Sequence, residues 1–216
     1  TLGVRLTAAL AGVELQLEVV ATLVANVAEG PAQAHRATAD GAPLPAVHRE
    51  VFRRNVVVRP DGRVKPLDFG LAAAWARPPP PRAFVGTPAC AAPERERGFE
   101  GDGRVDVLAF GVLGHELATG WRRFRRPGAA ATSPAVLESP PAAAASARGF
   151  PADLDAAGTQ ALERAPIRRR PRTRARARSL GTWRGAGDPR VVALAARVRA
   201  ASAASPQAEL DGGVRA

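Results

Sequence analysis

The residues best suited to chemistry in this sequence lie between positions 48 and 70. Asn55 and Asp68 follow Glu50 by five and eighteen positions. Asp68 stands in a turn after a β-like run and Asn55 on the facing loop, so we expect their side-chain oxygens to converge. Such oxygens are the ligands that Mg²⁺ prefers, and a positioned Mg²⁺ is the main requirement of phosphoryl transfer. The alternative is that both residues only cap turns.

A predicted β-hairpin positions these two groups. Its strands are Val56–Val58 and Arg63–Leu67, and the sequence RPDG between them is typical of a tight turn. Pro66 has no N–H to donate, so it weakens the second strand and confines it to an edge or a bulge. The predicted hairpin ends at Leu67, immediately before Asp68.

Helical periodicity predicts most of the remaining structure. The first helix runs from Leu15 to about Ala37, and Pro31 should kink or end it because its ring meets the carbonyl of Val27. The other predicted helices are Asp106–Thr119 with Leu108, Val112, Leu113 and Leu117 inward, Asp153–Arg164, and a last helix capped by Asp188 with Pro189 in its first turn. Residues 71–91 and 127–151 are predicted loops, so the fold class is mainly α with a short β-hairpin, within the α+β family.

In order and spacing, these motifs resemble those of bacterial serine/threonine protein kinases. The matching residues are His48-Arg49-Glu50, Asn55 and Asp68-Phe69-Gly70, which resemble the catalytic loop and the metal-binding segment. GTPACAAPE, from Gly86 to Glu94, is similar to the substrate-docking loop and its Ala-Pro-Glu. Asp106 and Gly111 match the start of the central buried helix, and Arg169 matches the late arginine that pairs with that glutamate.

The resemblance implies a role for each matched residue. Asn55 and Asp68 would hold Mg²⁺, Val57 would floor the adenine site of ATP, and Glu50 would accept the proton of a substrate hydroxyl. Arg49 and Thr87 would assist catalysis and substrate selection, while His48, Phe69 and Gly70 would be structural. Glu94 and Arg169 would form a buried ion pair, and Asp106 would hold the backbone of the His48-Arg49 loop.

The sequence departs from the family at several of these positions. Glu50 replaces the usual aspartate, and its extra methylene moves the carboxylate by roughly 1 Å, which can reduce the rate ~10²-fold. Phe52 replaces a residue that is usually Lys or Ser. Between Phe69 and Gly86 there is no Ser, Thr or Tyr that could be phosphorylated. No Gly-rich loop, Val-Ala-Ile-Lys strand or partner glutamate precedes His48, so we expect a truncated chain with half an ATP cleft and no activity of its own.

The resemblance implies the following organisation. Residues 1–14 would be a stub of the lobe or a hinge-proximal segment, and residues 15–180 would be a kinase-like C-terminal lobe without its N-terminal lobe. Residues 181–204 would form the C-terminal helix and 205–216 a disordered tail. The cofactors would be ATP and Mg²⁺, or none in this chain, and the partner a protein substrate or, for a non-catalytic pseudokinase, a scaffold partner.

Composition adds one further alternative and several exclusions. The net charge is +11, and Lys65 is the single lysine among 31 basic residues. The arginines from Arg164 to Arg178 could bind nucleic acid, or they could form a solvated surface loop in an arginine-biased chain. The single Cys90 excludes an internal disulfide and fits a cytoplasmic location. No apolar run reaches the ~18 residues of a membrane span, and the three histidines with Cys90 lack zinc-ligand spacing.

Overall fold

The computed structural model describes eleven stretches of the chain. They are residues 4–6, 15–35, 38–39, 42–43, 47–67, 91–120, 124, 127, 129–138, 152–169 and 188–204. Within them the strands are β1 (Val4–Arg5), β2 (Thr38–Ala39), β3 (Ala42–Pro43), β4 (Val56–Val58) and β5 (Val64–Pro66). The α-helices are α1 (Leu17–Ala34), α2 (Pro93–Glu96), α3 (Arg104–Thr119), α4 (Ala129–Glu138), α5 (Ala152–Ala161) and α6 (Pro189–Ala204), and two 3₁₀ turns cover Arg53–Asn55 and Pro166–Arg168.

The predicted hairpin forms two strands of a small antiparallel sheet, β4 and β5. Its turn is closed by the N–H of Arg59, which donates to the carbonyl of Arg63 at 2.8 Å, and Gly62 adopts a φ of 75° there. Within the described residues the strand order is β1-β4-β5, so β5 is an edge strand. Pro66 therefore lies where its missing N–H is tolerated, as its chemistry predicts. The pairing of β1 with β4 was not predicted.

Helices α1 and α3 pack against each other and against the hairpin to form the main core. Every residue of α3 from Val105 to Leu113 is buried, as is typical of a helix surrounded by other elements. The four residues predicted to point inward from this helix are all buried. On the opposite side Leu23 and Val27 of α1 are fully buried. Burial of each such side chain contributes roughly 1.5–3 kcal/mol to the stability of this core.

Pro31 does not end the first helix, contrary to one of the two predicted outcomes. Helix α1 continues to Ala34, and the N–H of His35 donates to the carbonyl of Pro31 at 2.8 Å. Pro31 lies in the last turn, where its missing N–H removes a single intrahelical hydrogen bond. The helix ends three residues later.

The prediction of a loop over residues 127–151 is wrong for its first half, where α4 forms. Thr132 and Val136, four residues apart and therefore on one helix face, are 5% and 1% exposed. Alanine has the highest helix propensity, and the exposed Pro134 lies on another face. The proline content of this segment favours a loop, whereas burial of one helix face decides the outcome.

The remaining helix predictions hold with small shifts. Helix α5 ends at Ala161, three residues before the predicted end. Asp188 precedes α6 and accepts a hydrogen bond from the N–H of Arg190 at 2.9 Å, so it caps the helix as predicted. The described part of the chain is therefore mostly helical with a small sheet. None of the helices in these stretches has the length and apolar character that a bilayer crossing requires.

Candidate active site

Asp106 organises the loop that carries the candidate catalytic residues. Its side chain is fully buried at the start of α3, and its two oxygens accept the backbone N–H groups of His48 at 2.9 Å and Arg49 at 2.8 Å. Hydrogen bonds to an ionised acceptor contribute about 1.5–3 kcal/mol each. A loop fifty-eight residues away in sequence is thereby fixed to the most buried helix.

The backbone at Arg49 is held in an uncommon conformation. Its φ is 66°, in the left-handed region that non-glycine residues rarely adopt. This conformation presents two successive N–H groups to one carboxylate, and the hydrogen bonds to Asp106 offset its strain. The next residue, Glu50, therefore has a defined starting direction.

His35 is a third partner of Asp106 that sequence reasoning missed. Its ring Nε2 lies 2.8 Å from Oδ2 of Asp106, and the histidine side chain is 27% exposed. The two residues are seventy-one positions apart, and no spacing rule connects them. A lone histidine after a helix carries no signal of this contact.

Glu50 and Asn55 lie side by side. The Asn55 amide nitrogen donates to the Glu50 carbonyl at 3.3 Å and more weakly to its carboxylate Oε2 at 3.5 Å. Because the nitrogen faces Glu50, the amide oxygen Oδ1 faces away from it. That oxygen is the atom of Asn55 with the chemistry of a Mg²⁺ ligand.

The hairpin brings the end of β5 next to Asn55. The N–H of Leu67 donates to the Asn55 carbonyl at 2.6 Å, and the N–H of Asn55 closes the 3₁₀ turn onto Phe52 at 2.8 Å. Asp68 is one peptide bond beyond Leu67 but lies outside the described residues, as do Phe69, Gly70 and Thr87. The convergence of Asn55 and Asp68 therefore stays a prediction.

Val57 lies on the face of the sheet opposite to the core. Val56 and Val58 are 0% and 2% exposed in the core, whereas Val57 is half-buried and pairs in register with Arg5 and Lys65. Alternation along a strand sends it to the other face. An apolar side chain in this position has the character that the predicted adenine contact needs.

The described residues contain the ion pair between Glu94 and Arg169. Two guanidinium nitrogens of Arg169 donate to the two carboxylate oxygens of Glu94, at 2.5 and 2.9 Å. The remaining donors reach the backbone carbonyls of Glu163, Arg164 and Arg104. Arginine has five N–H donors, and here five hydrogen bonds use them, so a 1% exposed cation is fully satisfied.

Two further arginine contacts surround the catalytic loop. Arg53 in the 3₁₀ turn lies 3.8 Å from the buried carboxylate of Glu116, and Arg54 stacks over the Phe52 ring at 5.3 Å. Burial lowers the pKa of Arg95, and the nearby Arg49 guanidinium lowers it further. Arginines and carboxylates therefore both surround the loop.

Metal ligands of the zinc type are not grouped in the described ranges. No set of three His, Cys, Asp or Glu side chains gathers there in a way that could hold a metal ion. Cys90 lies outside the described residues. The Mg²⁺ site predicted at Asn55 and Asp68 would be a different arrangement, because its protein ligands would be an amide and one carboxylate.

Comparison with known proteins now decides the family. The sequence profile of the protein kinase domain matches residues 5–146. The chain belongs to the protein kinase domain family. The matched range contains the Asp106 contacts, the Glu50–Asn55 pair and the hairpin. Protein kinases as a family use ATP and Mg²⁺.

Similar proteins are bacterial kinases. The tyrosine-protein kinase MasK of Myxococcus xanthus is 38% identical over 125 residues, which cover 56% of this chain and 19% of MasK. The serine/threonine-protein kinase PknL of Mycobacterium tuberculosis is 35% identical over 153 residues, covering 69% of this chain and 37% of PknL. PknA of the same organism is 35% identical over 97 residues, covering 44% and 22%. The chain thus aligns with well under half the length of these relatives.

Proposed function

We propose that this chain supplies the C-terminal lobe of a serine/threonine protein kinase, the lobe that carries the residues for phosphoryl transfer. The observation that carries the proposal is the fixation of His48 and Arg49 by Asp106, which places Glu50 against Asn55 on the loop before the hairpin. We assign residues 15–180 to this lobe, residues 1–14 to the segment that leads into it, and residues 181–204 to its closing helix.

In this proposal Asn55 and Asp68 hold Mg²⁺. Support comes from the Asn55 amide, whose nitrogen is engaged by Glu50, and from the hydrogen bond that ties Leu67, the neighbour of Asp68, to Asn55. When bound, the Mg²⁺ and ATP supply the phosphoryl group and screen the charge on its oxygens. Val57 covers the adenine from the sheet, and Thr87 contacts the substrate.

Glu50 would accept the proton of the substrate hydroxyl while the hydroxyl oxygen bonds to the γ-phosphorus of ATP and the bond from that phosphorus to the departing ADP breaks. The hydrogen bond from Asn55 and the backbone fixation at Arg49 orient the carboxylate. Its longer side chain displaces the carboxylate by roughly 1 Å from where an aspartate would hold it, which lowers the rate ~10²-fold without abolishing the chemistry. Glutamate and aspartate have similar pKa values in model peptides, so position is the quantity that matters.

The 216 residues by themselves are expected to bind nucleotide weakly and to transfer no phosphate. Residues 1–47 contain neither a Gly-rich phosphate loop nor a Val-Ala-Ile-Lys strand, which hold the phosphates from the other side of a kinase cleft. A folded chain with no nucleotide affinity at all would instead favour a non-catalytic scaffold.

The metal assignment can be tested with Mn²⁺, a paramagnetic substitute for Mg²⁺. The chain has two asparagines, Asn55 and Asn26, and the Asn26 amide donates within α1 to the carbonyl of Thr22 at 2.8 Å. With Mn²⁺ and ATP, we expect the side-chain amide signals of Asn55 to broaden in an NMR spectrum while those of Asn26 stay sharp. Excess Mg²⁺ should restore them.

Two results would contradict the assignment. Equal broadening of both asparagines would indicate non-specific binding of Mn²⁺, and no broadening of Asn55 would remove it from the metal site. The Asn55→Ala variant serves as the second control. Loss of the Asn55 side chain should abolish the Mg²⁺-dependent affinity for nucleotide measured by calorimetry.

The nucleic-acid alternative is not favoured by the described part of the arginine-rich segment. Arg169 is buried against Glu94, and Arg164 donates to the carbonyls of Leu137 and Glu138 at 3.1 and 3.2 Å. Both guanidinium groups therefore make hydrogen bonds within the chain, whereas Arg168 is exposed and residues 170–178 lie outside the described ranges. Phosphate contacts along this segment would need other arginines.

A further inference from the structure

The arginine beside the candidate catalytic residues has a fixed position and no carboxylate partner in the part of the chain that the structure describes. Arg54 is exposed, and its guanidinium carbon lies 5.3 Å from the centroid of the Phe52 ring. An arginine within about 6 Å of an aromatic face is attracted to it. The stacking restrains a side chain that would otherwise sample many rotamers.

The turn that carries Arg54 is itself fixed. The Asn55 N–H donates to the Phe52 carbonyl, and the Asn55 side chain contacts Glu50. Arg54 therefore adjoins the residue whose side chain contacts the carboxylate that, in the proposed function, accepts the substrate proton. A substrate with its hydroxyl at Glu50 would be bound on the loop that also carries Arg54.

One carboxylate near this turn is paired with a different arginine. Glu116 is buried in α3 and lies 3.8 Å from Arg53, with side-chain exposures of 8% and 20%. Residues 48–55 contain three arginines and one glutamate. Among these four charged residues Arg54 is exposed, whereas Arg49, Glu50 and Arg53 are half-buried, so the most accessible charge on this loop is positive.

We propose that Arg54, held by Phe52, selects a polypeptide substrate that carries Asp or Glu near the acceptor hydroxyl. This inference rests on the proposed function for the hydroxyl, but its charge preference is measurable without phosphate transfer. A planar guanidinium matches a carboxylate through two parallel hydrogen bonds, which gives direction as well as attraction. The partner is thus an acidic segment of a protein.

The test compares three fluorescent peptides that contain one serine flanked by Asp and Glu, by Asn and Gln, or by Arg. Binding is followed by anisotropy without nucleotide at 0.15 M salt. We expect the acidic peptide to bind tightest, and Arg54→Glu to weaken it by roughly three- to tenfold, since charge reversal replaces attraction with repulsion. Arg54→Ala should fall between them.

The matched control is Arg197→Glu, an equal charge change at an exposed site of α6. It should alter the affinity for the acidic peptide by less than about twofold, because separated exposed charges are screened. Circular dichroism should show unchanged melting for both variants, as both side chains are exposed.

Three results would overturn the inference. The native chain could bind the neutral peptide as tightly as the acidic one, or Arg197→Glu could weaken binding as much as Arg54→Glu, which would assign the attraction to the overall charge. A single-stranded oligonucleotide could also bind more tightly than the acidic peptide and depend on Arg54, which would assign the site to nucleic acid.

Failure of this inference and failure of the proposed function are separable. If the acidic peptide binds tightest but the Asn55 amide signals stay sharp with Mn²⁺, the metal-dependent function alone is contradicted. Selective broadening of Asn55 without any preference among the peptides would contradict the role of Arg54 alone.

Discussion

Replacing Arg169 with methionine should be among the most destabilising changes available in this domain. The substitution removes five hydrogen bonds and leaves the Glu94 carboxylate, itself 8% exposed, without its cation. Breaking a buried ion pair by deleting one partner costs about 3–5 kcal/mol. For a chain of this size, 1 kcal/mol corresponds to about 2–4 °C in Tm, so a decrease of roughly 6–20 °C is expected.

The assay is urea unfolding followed by circular dichroism, with Arg168→Ala as the matched control. Arg168 is the exposed neighbour of Arg169, and its replacement should change the free energy of unfolding by less than about 0.5 kcal/mol. Arg169→Lys should be intermediate, because an ammonium cannot make the two parallel bonds to Glu94. A loss below about 1 kcal/mol for Arg169→Met would refute the view that this pair braces the lobe.

Two further predictions concern α3. A Cβ added at Gly111 would lie 2.9 Å from the Cβ of Ala161, so Gly111→Ala should destabilise the fold by about 1–3 kcal/mol in thermal melts, whereas Gly114→Ala, with its nearest contact at 3.5 Å, should be neutral or stabilising. Asp106→Asn leaves one loop N–H facing an NH₂ group and should lose about 2–4 kcal/mol with faster amide exchange in that loop. Asp61→Asn in the exposed hairpin turn is its control, and equal losses in the two would contradict the buried role of Asp106.

Local structure was predictable wherever one short segment carries its own signal. The RPDG turn and the two valine-rich strands predict the hairpin, and the Asp188-Pro189 pair predicts the start of α6, because turn and cap preferences act over a few neighbouring residues. The family could likewise be recognised from the spacing of Glu50, Asn55 and Asp68. The loop prediction was wrong for residues 129–138, where burial of Thr132 and Val136, a tertiary effect, outweighed the loop character of the composition.

The sequence by itself determined which residue types are present and which short elements they form, since these depend on backbone preferences and on periodicity. Only the tertiary structure decided which of them meet. Asp106 contacts His48, which is fifty-eight positions away in sequence, and Glu94 contacts Arg169, which is seventy-five positions away. Arg53 likewise faces Glu116 from the 3₁₀ turn. The physical reason is that a buried charged side chain needs a hydrogen-bonding partner close by. The packing of the whole core decides which residue lies close enough to be that partner.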